Sequence, residues 1–348
     1  GYVHTVSEKV APESDVAVAA LLGNDPFKAY TGRGPLEAYG AGLDVKSGDL
    51  CLRCNFATVN SAFTIMDRRV GRSLITKEAK DLAKAINKRV KLDLPFEFVS
   101  TIQHRGVVLI RDHKLSSNIS NVDPEYKKVG AFGVSILDKE KKVLEAKALD
   151  PSSESKLSAR VVNQFVQQSY CVLSSNEINK KRKKKYLMEA NIILPRDAGI
   201  GLPEFIKHKS WGAVIGMPLE IGIAMCSGMH VLKFNYPEMK GKDVYENLYD
   251  GLKKTILASV EAVKAKKFDS YYIHFKETDI PGHDNRPADK VKMIEMIDRD
   301  FFAELKKMDN VEIIVTGDHS TPCEAKKHSA DPVPLIWYNK KFTGDVNR

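Results

Sequence analysis

Two stretches of the chain put oxygen and nitrogen donors at the ends of apolar, strand-like runs. The first, YYIHFKETDIPGHD (Tyr271–Asp284), leads into Asp279 and then, past Pro281-Gly282, into His283. The second, VEIIVTGDHSTPCEAKKHSADPVP (Val311–Pro334), leads into Asp318-His319, and His328 follows nine residues later. Carboxylates and imidazoles are the donors suited to Mn²⁺, Zn²⁺ or Fe. Turns rich in Gly and Pro let successive residues point back at one centre. In a parallel sheet both runs end on one edge, where open α/β sheets keep their chemistry. The pattern therefore predicts a metal centre drawn from both. Any one of these groups alone reads more readily as a hydrogen-bonded surface or core imidazole; two groups at two strand ends favour the metal. Asp331 reads as a brace for the turn before Pro332.

Ser14 is the third element. It opens ESDVAVAALLG (Glu13–Gly23), a helix with Ser14 or Asp15 at its start and Gly23 at its end. On local grounds its hydroxyl is an N-cap. At a helix N-terminus beside a divalent metal it is instead a nucleophile that can attack phosphorus.

These residues need a scaffold. GAVIGM, SYYIHFK and VEIIVTGD read as apolar strands. PLEIGIAMCSGM, VYENLYDGLKKTILASVEAVKAK and ADKVKMIEMIDRDFFAELKKM read as helices among them. That alternation predicts an α/β core, a doubly wound, mostly parallel sheet with helices on both faces. Ahead of it, DLCLRCNFATV, FEFVSTIQHRGVVLIRD and VGAFGVSILD are β-like, and TKEAKDLAKAINKRV and SKLSARVVNQFVQQSYCVLSS are helical. NDPFKAYTGRGPLEAYGAG reads as loop with a short helix. The expected organisation is a core of residues 1–30 and 206–348, with an inserted α+β domain over 31–205.

The chain has 348 residues, enough for two domains. Hydrophobic content of 43% and charged content of 28% are those of a globular protein, with no apolar run of membrane-crossing length. Five scattered cysteines predict a reducing, cytoplasmic setting. Cys51 and Cys54 lack a second pair for zinc and read as buried thiols in a strand. The net charge of +9 fits nucleic acid or small anions. The run Lys180–Lys185 has no interleaved aromatics and reads as a solvated helix face or loop.

Together SDVAVAALLGNDPFKAYTGRGPLEAYGAG, RCNFATV, DRRVGR, SARVVNQF, HFKETDIPGHD and VTGDHSTPCEAKKHSADPVPLI resemble the archaeal type of cofactor-independent phosphoglycerate mutase. The match runs in order along nearly the whole chain. The resemblance implies an alkaline-phosphatase-like core and interconversion of 3-phosphoglycerate and 2-phosphoglycerate through a phosphoserine intermediate. It implies two divalent metals, Mn²⁺ foremost, with Zn²⁺, Co²⁺ or Mg²⁺ as alternatives. Carried over, Ser14 is the catalytic nucleophile and a metal ligand. Asp279, His283 and His328 hold one metal, and Asp318 and His319 hold the other. The family's Asp-Gly near its N-terminus, which completes the serine's metal set, has no counterpart upstream of Ser14. The second metal set is therefore expected to be incomplete here.

Phosphoglycerate carries a phosphate and a carboxylate, which the arginine fork suits. The expected substrate-binding residues are Arg33, Asp67, Arg68, Arg72 and Arg196, with Arg53, Arg69, Arg105 and Arg111 as further candidates. For any one of them a surface ion pair is the bland alternative. Arginines of the insert facing the core would suggest closure over substrate. The competing readings are a metal-dependent phosphatase, phosphodiesterase or sulfatase of the same superfamily, a basic nucleic-acid-binding protein, and an inactive relative. The expected partner is small-molecule phosphoglycerate, without nucleic acid or membrane.

Overall fold

The computed structural model describes residues 1–129, 132–135, 141–237 and 243–339. They fall into two units. The first is Gly1–Ala29, Phe205–Gly216 and Ser227–Arg348; the second is Tyr30–Glu204 and Met217–Cys226.

In the first unit, Trp211–Val214 lies between His230–Leu232 and Ser270–Ile273, and all three strands are parallel. The helix Val244–Ala265 places Leu248, Leu252 and Ile256 on one face, four residues apart. They pack with Met293, Met296 and Phe301 in one core. The long helical run that follows is interrupted: Pro287–Ile297 passes into a π-helical turn, Asp298–Phe302, and then Ala303–Leu305.

Glu312–Thr316 departs from the expected single parallel sheet. It pairs antiparallel with Val333–Asn339, from Glu312 opposite Asn339 to Thr316 opposite Leu335, and Tyr2–Val3 adds beyond. The next apolar run pairs the strand along one edge; among the described residues the other edge carries no ladder. Among the described residues no ladder joins Glu312–Thr316 to Ser270–Ile273. The loops that follow the two strands, not a shared sheet edge, bring Asp279 together with Asp318 and His319.

The second unit is built on Leu50–Val59. This strand pairs antiparallel with Arg105–Ile110 on one side and Ile192–Ile200 on the other; Phe96–Ser100 extends the sheet and Ile65–Asp67 joins at the end of Leu50–Val59. Helices Thr76–Arg89 and Ser153–Ser174 cover one face, where Leu82, Ile86, Phe165 and Leu173 pack with Cys54, Phe56 and Phe98. The other face packs Ala38 and Leu43 against Cys51, Val107 and Leu109. Cys51 and Cys54 thus point to opposite faces, both buried. The run VGAFGVSILD contributes Phe132–Ser135, paired with Tyr126–Val129; the rest of its strand lies outside the described residues.

Two segments refine their sequence reading. The short helix expected within Asn24–Gly42 is Arg33–Gly40, with a further turn at Pro26–Ala29. Pro218–Cys226 groups with the second unit although the strands around it belong to the first. Both follow from one close helix crossing. A Cβ on Gly40 would stand 1.8 Å from the Pro218 carbonyl oxygen, and one on Gly222 would stand 1.9 Å from that of Leu36. Only glycine permits backbone contact this tight.

Candidate active site

Ser14 is the first residue of the helix Ser14–Leu21; the N-cap position is Glu13, and no side chain caps the helix. The Ser14 hydroxyl is therefore not a cap. It is buried, and Lys276 Nζ donates to its Oγ at 3.0 Å. His319 Nε2 lies 3.2 Å from the same oxygen. Asp279 and His283 occupy the two ends of one short helical turn, Asp279–His283. Asp318 and His319 follow Glu312–Thr316, and His328 returns on the loop toward Val333–Asn339.

The six side chains meet in the first unit. His283 Nε2 is 3.5 Å from Asp279 Oδ2, and His328 Nε2 is 3.6 Å from Asp279 Oδ1. His319 Nε2 is 3.3 Å from Asp318 Oδ2, and the His319 and His328 rings stack at 3.6 Å. Donor atoms of Asp279, His319 and His328 lie within 4.8 Å of one another.

Each histidine has its other nitrogen engaged. His283 Nδ1 donates to the Lys326 carbonyl at 3.0 Å, and His328 Nδ1 to that of Pro12 at 3.0 Å. His319 Nδ1 is 3.1 Å from Thr321 Oγ1, whose hydroxyl donates to Asp279 Oδ1 at 2.8 Å. The Thr321 oxygen is thus left to accept from His319. All three rings therefore turn Nε2 toward the carboxylates, the tautomer that suits metal ligation.

The electrostatics agree. Burial would raise the Asp279 carboxyl, but His283 and His328 hold it well below the usual range. Burial likewise opposes the charge on Asp318, yet His319, His274 and Lys276 hold it at about 2. Burial pushes His319 down to about 4, which keeps it neutral. His283 is raised, chiefly by its contact with Asp279. Burial works against charge on His328, but Asp279 and Glu13 outweigh it and raise its pKa.

A second chemical cluster lies in the second unit. Sheet register sets Arg53 directly opposite Arg196, and Arg105 opposite Asn55. Like charges facing each other across strands cost stability. Arg33 Nε donates to Glu37 Oε1 at 2.8 Å, one helical turn away, and Arg53 Nη1 is 3.4 Å from the same oxygen. Arg196 Nη1 donates to Asp197 Oδ2 at 2.7 Å, and its guanidinium lies over the Tyr126 ring, 3.4 Å from the centroid. The Nε groups of Arg53 and Arg196 are buried without a partner among the described residues. Burial and the neighbouring Arg33 push Arg53 down to about 9; burial and Arg69 push Arg105 to about 10. Burial would raise Glu37, but Arg53 and Arg33 hold it at about 2. This is a buried surplus of positive charge.

Not every expected anion-binding residue joins it. Arg68 spends its fork on Asp123 and Glu125. Asp67 Oδ1 accepts the backbone N–H groups of Arg69 and Gly71 and so braces a turn. Arg111 pairs with Asp49 at 2.7 Å. Local sequence does not show these pairings, because each partner is distant in the chain or is backbone.

The 2,3-bisphosphoglycerate-independent phosphoglycerate mutase family model matches residues 1–179, and the Metalloenzyme superfamily model matches residues 227–347. The chain belongs to this mutase family. A 2,3-bisphosphoglycerate-independent phosphoglycerate mutase of Aeropyrum pernix is 37% identical over 100% of this chain and 84% of its own length. One from Methanocaldococcus jannaschii is 37% identical over 99% of this chain and 80% of its own. Among solved structures, a Pyrococcus horikoshii protein superposes with a TM-score of 0.71 at 29% identity, covering 97% of this chain and 76% of that one. The cofactor-independent phosphoglycerate mutase from Thermoplasma acidophilum gives 0.53 at 27% identity, over 98% of this chain and 79% of that one. These likenesses support an alkaline-phosphatase-like α/β fold.

Membership in a metalloenzyme superfamily implies a metal, and the mutase chain's own residues fit one. Asp318 Oδ2 is buried with no hydrogen-bond partner among the described residues. A cation would satisfy it, together with the inward Nε2 atoms. Three neighbours lay outside the residues singled out in the sequence: Lys276, Thr321 and Glu13. Lys276 lies between strand Ser270–Ile273 and Asp279, where a lysine has no distinguishing spacing. Thr321 is two residues past His319, and only the fold shows that it joins His319 to Asp279. Asp331, by contrast, accepts from Ser329 Oγ at 2.7 Å and stays within its turn.

Proposed function

We propose that the chain is a 2,3-bisphosphoglycerate-independent phosphoglycerate mutase that interconverts 3-phosphoglycerate and 2-phosphoglycerate through phosphoserine at Ser14. The observation that carries this reading is the buried Ser14 hydroxyl, held between Lys276 and His319 beside two carboxylates and three inward-turned histidines. Asp279, His283 and His328 would hold one divalent metal; Asp318, His319 and Ser14 would hold the second. Mn²⁺ is the first choice, with Zn²⁺, Co²⁺ or Mg²⁺ as alternatives. When bound, the metals supply Lewis-acid stabilisation of the phosphoryl oxygens.

The residues supply the rest. Ser14 Oγ bonds to phosphorus as the bond from phosphorus to the glycerate oxygen breaks. Ser14 gives up a proton and the departing glycerate oxygen takes one. The Lys276 ammonium stabilises negative charge on Oγ as that proton leaves. The second hydroxyl of the retained glycerate then takes the phosphoryl group from Ser14, with the proton balance reversed. Retention needs anion-binding groups. We assign it to Arg33, Arg53, Arg105 and Arg196, with Arg72, and withdraw Arg68 and Asp67 because their contacts are spent on the protein. Part of the basic surplus is thus buried at the scale of a small anion, which favours phosphoglycerate over nucleic acid. No helix among the described residues is long and apolar enough to cross a membrane. Five free thiols support a reducing compartment, for which we propose the cytoplasm.

The test is an enolase-coupled assay with 3-phosphoglycerate and Mn²⁺, run beside an assay of released phosphate. Mutase turnover with little free phosphate is expected. Phosphate release without mutase turnover would replace this reading with that of a phosphatase.

A further inference from the structure

The basic run Lys180–Lys185 is not a uniform solvated face. Its lysines are exposed, but Arg182 is 1% exposed and is the largest fully buried side chain of the described residues. All three nitrogens of its guanidinium donate. Nε donates to the Met188 carbonyl at 2.8 Å, and Nη1 donates to Glu78 Oε2 at 2.6 Å and to the Ser73 carbonyl at 3.3 Å. Nη2 donates to Ser73 Oγ at 2.7 Å.

Ser73 closes an uncommon piece of backbone. Val70, Gly71 and Arg72 all have left-handed φ, at 54°, 59° and 52°. For Val and Arg this costs about 1–2 kcal/mol per residue, and for a β-branched residue it is a clear outlier. Such strain persists only where the surroundings over-determine it, and it concentrates at functional sites. Here two devices hold it. Asp67 Oδ1 takes the N–H groups of Arg69 and Gly71. Ser73 Oγ donates to the Val70 carbonyl at 2.9 Å. Because Arg182 Nη2 occupies the acceptor side of Ser73 Oγ, the hydroxyl proton is directed at Val70. The turn in turn keeps Arg69 near Arg72, whose backbone N–H donates to the Arg69 carbonyl at 2.9 Å; both are half-buried, and burial and Arg72 both lower Arg69. A protein that strains its backbone to bring two guanidinium groups together gains from it when an anion arrives.

We propose that Arg182 is a positioning residue for substrate: through Ser73 it locks the left-handed turn Val70–Arg72 and so presents Arg69 and Arg72 to an anionic group of the substrate. The inference rests on the reading of this unit's arginines as the anion-binding part of a mutase. It adds to that reading a residue that touches no substrate.

The experiment compares wild type, Ser73→Ala, Arg182→Met and Glu78→Gln. Ser73→Ala deletes only the hydroxyl between Arg182 and Val70. Glu78→Gln removes the charge partner but leaves Arg182 on Ser73. Each is read by KM and kcat for 3-phosphoglycerate, by calorimetric binding of inorganic phosphate, and by manganese content. For Ser73→Ala and Arg182→Met we expect KM and the phosphate Kd to rise about tenfold, with kcat within about twofold and manganese unchanged. Glu78→Gln should lower the melting temperature while leaving KM near wild type. The proposal is overturned if folded Ser73→Ala keeps wild-type KM and phosphate affinity, or if Glu78→Gln raises KM as much as Ser73→Ala does. Should Arg182→Met fail to fold, Ser73→Ala alone decides. Absence of mutase turnover in wild type would count against the mutase reading instead, and phosphate binding by the variants would still decide the role of Arg182.

Discussion

The Ser14 hydroxyl makes polar contacts with Lys276 and His319 and caps no backbone N–H of its own helix. A capping serine would cost about 1 kcal/mol on removal. Here there is no cap bond to lose, so Ser14→Ala should separate chemistry from stability. Mutase turnover should fall by a factor on the order of 10⁴ or more, as it does when a covalent nucleophile is deleted. The denaturant midpoint should stay within a few tenths of a molar. Retained turnover in the enolase-coupled assay would remove Ser14 as nucleophile. Lys276→Met probes the charge on the same oxygen. It should lower kcat by roughly 10²–10³, the usual range for one oxyanion donor, and leave manganese content unchanged. An unaltered kcat would return Lys276 to an ordinary hydrogen-bonding role.

At the scale of elements, the crossing of Arg33–Gly40 with Pro218–Cys226 positions the helix that carries Arg33 and Glu37. In Gly222→Ala the new methyl would meet the Leu36 carbonyl, which is backbone and cannot swing aside. Overpacking of this kind costs roughly 1–3 kcal/mol. Urea unfolding should show it, and KM should rise with it if the displaced helix moves Arg33; an unchanged midpoint would mean that the helices part without loss. The crossing also shows where the sequence stops being informative. The meeting of Asp318-His319 with Asp279–His283 was legible because carboxylates and imidazoles fall there at short spacings beside Gly and Pro. The helices Thr76–Arg89 and Val244–Ala265 were legible from their apolar period, and Ser14–Leu21 from its start and stop residues. The antiparallel partner of Glu312–Thr316 was not, since period reveals a strand but not its neighbour. For the same reason Arg53 and Arg105 could be suspected but not ranked above Arg68. Their value comes from register with Arg196 and Asn55, which lie far from them in the chain. Arg182 was hidden differently, since five lysines around it mask a single inward-pointing guanidinium.

Across the whole molecule the chemistry divides by ligand type. The candidate metal donors and Ser14 belong to the first unit, and the buried arginine surplus belongs to the second. A ligand that binds only the native state stabilises what it touches, by about 2.7 kcal/mol at a hundredfold excess over Kd. Each ligand should therefore protect its own unit from hydrogen exchange. Mn²⁺ added to chelator-treated protein should slow exchange around Ser14, in Asp279–His283 and over residues 317–328. It should leave Leu50–Val59 and Ile192–Ile200 as they were. Inorganic phosphate added to metal-free protein should do the reverse, slowing exchange in Leu50–Val59, Arg105–Ile110 and Ile192–Ile200. If Mn²⁺ protected the arginine-bearing strands as strongly as the Asp279–His283 turn, the assignment of metal and anion to separate units would fail. Protection by phosphate confined to the Ser14 helix would move the anion site away from the arginines, and their buried charge would then need another explanation.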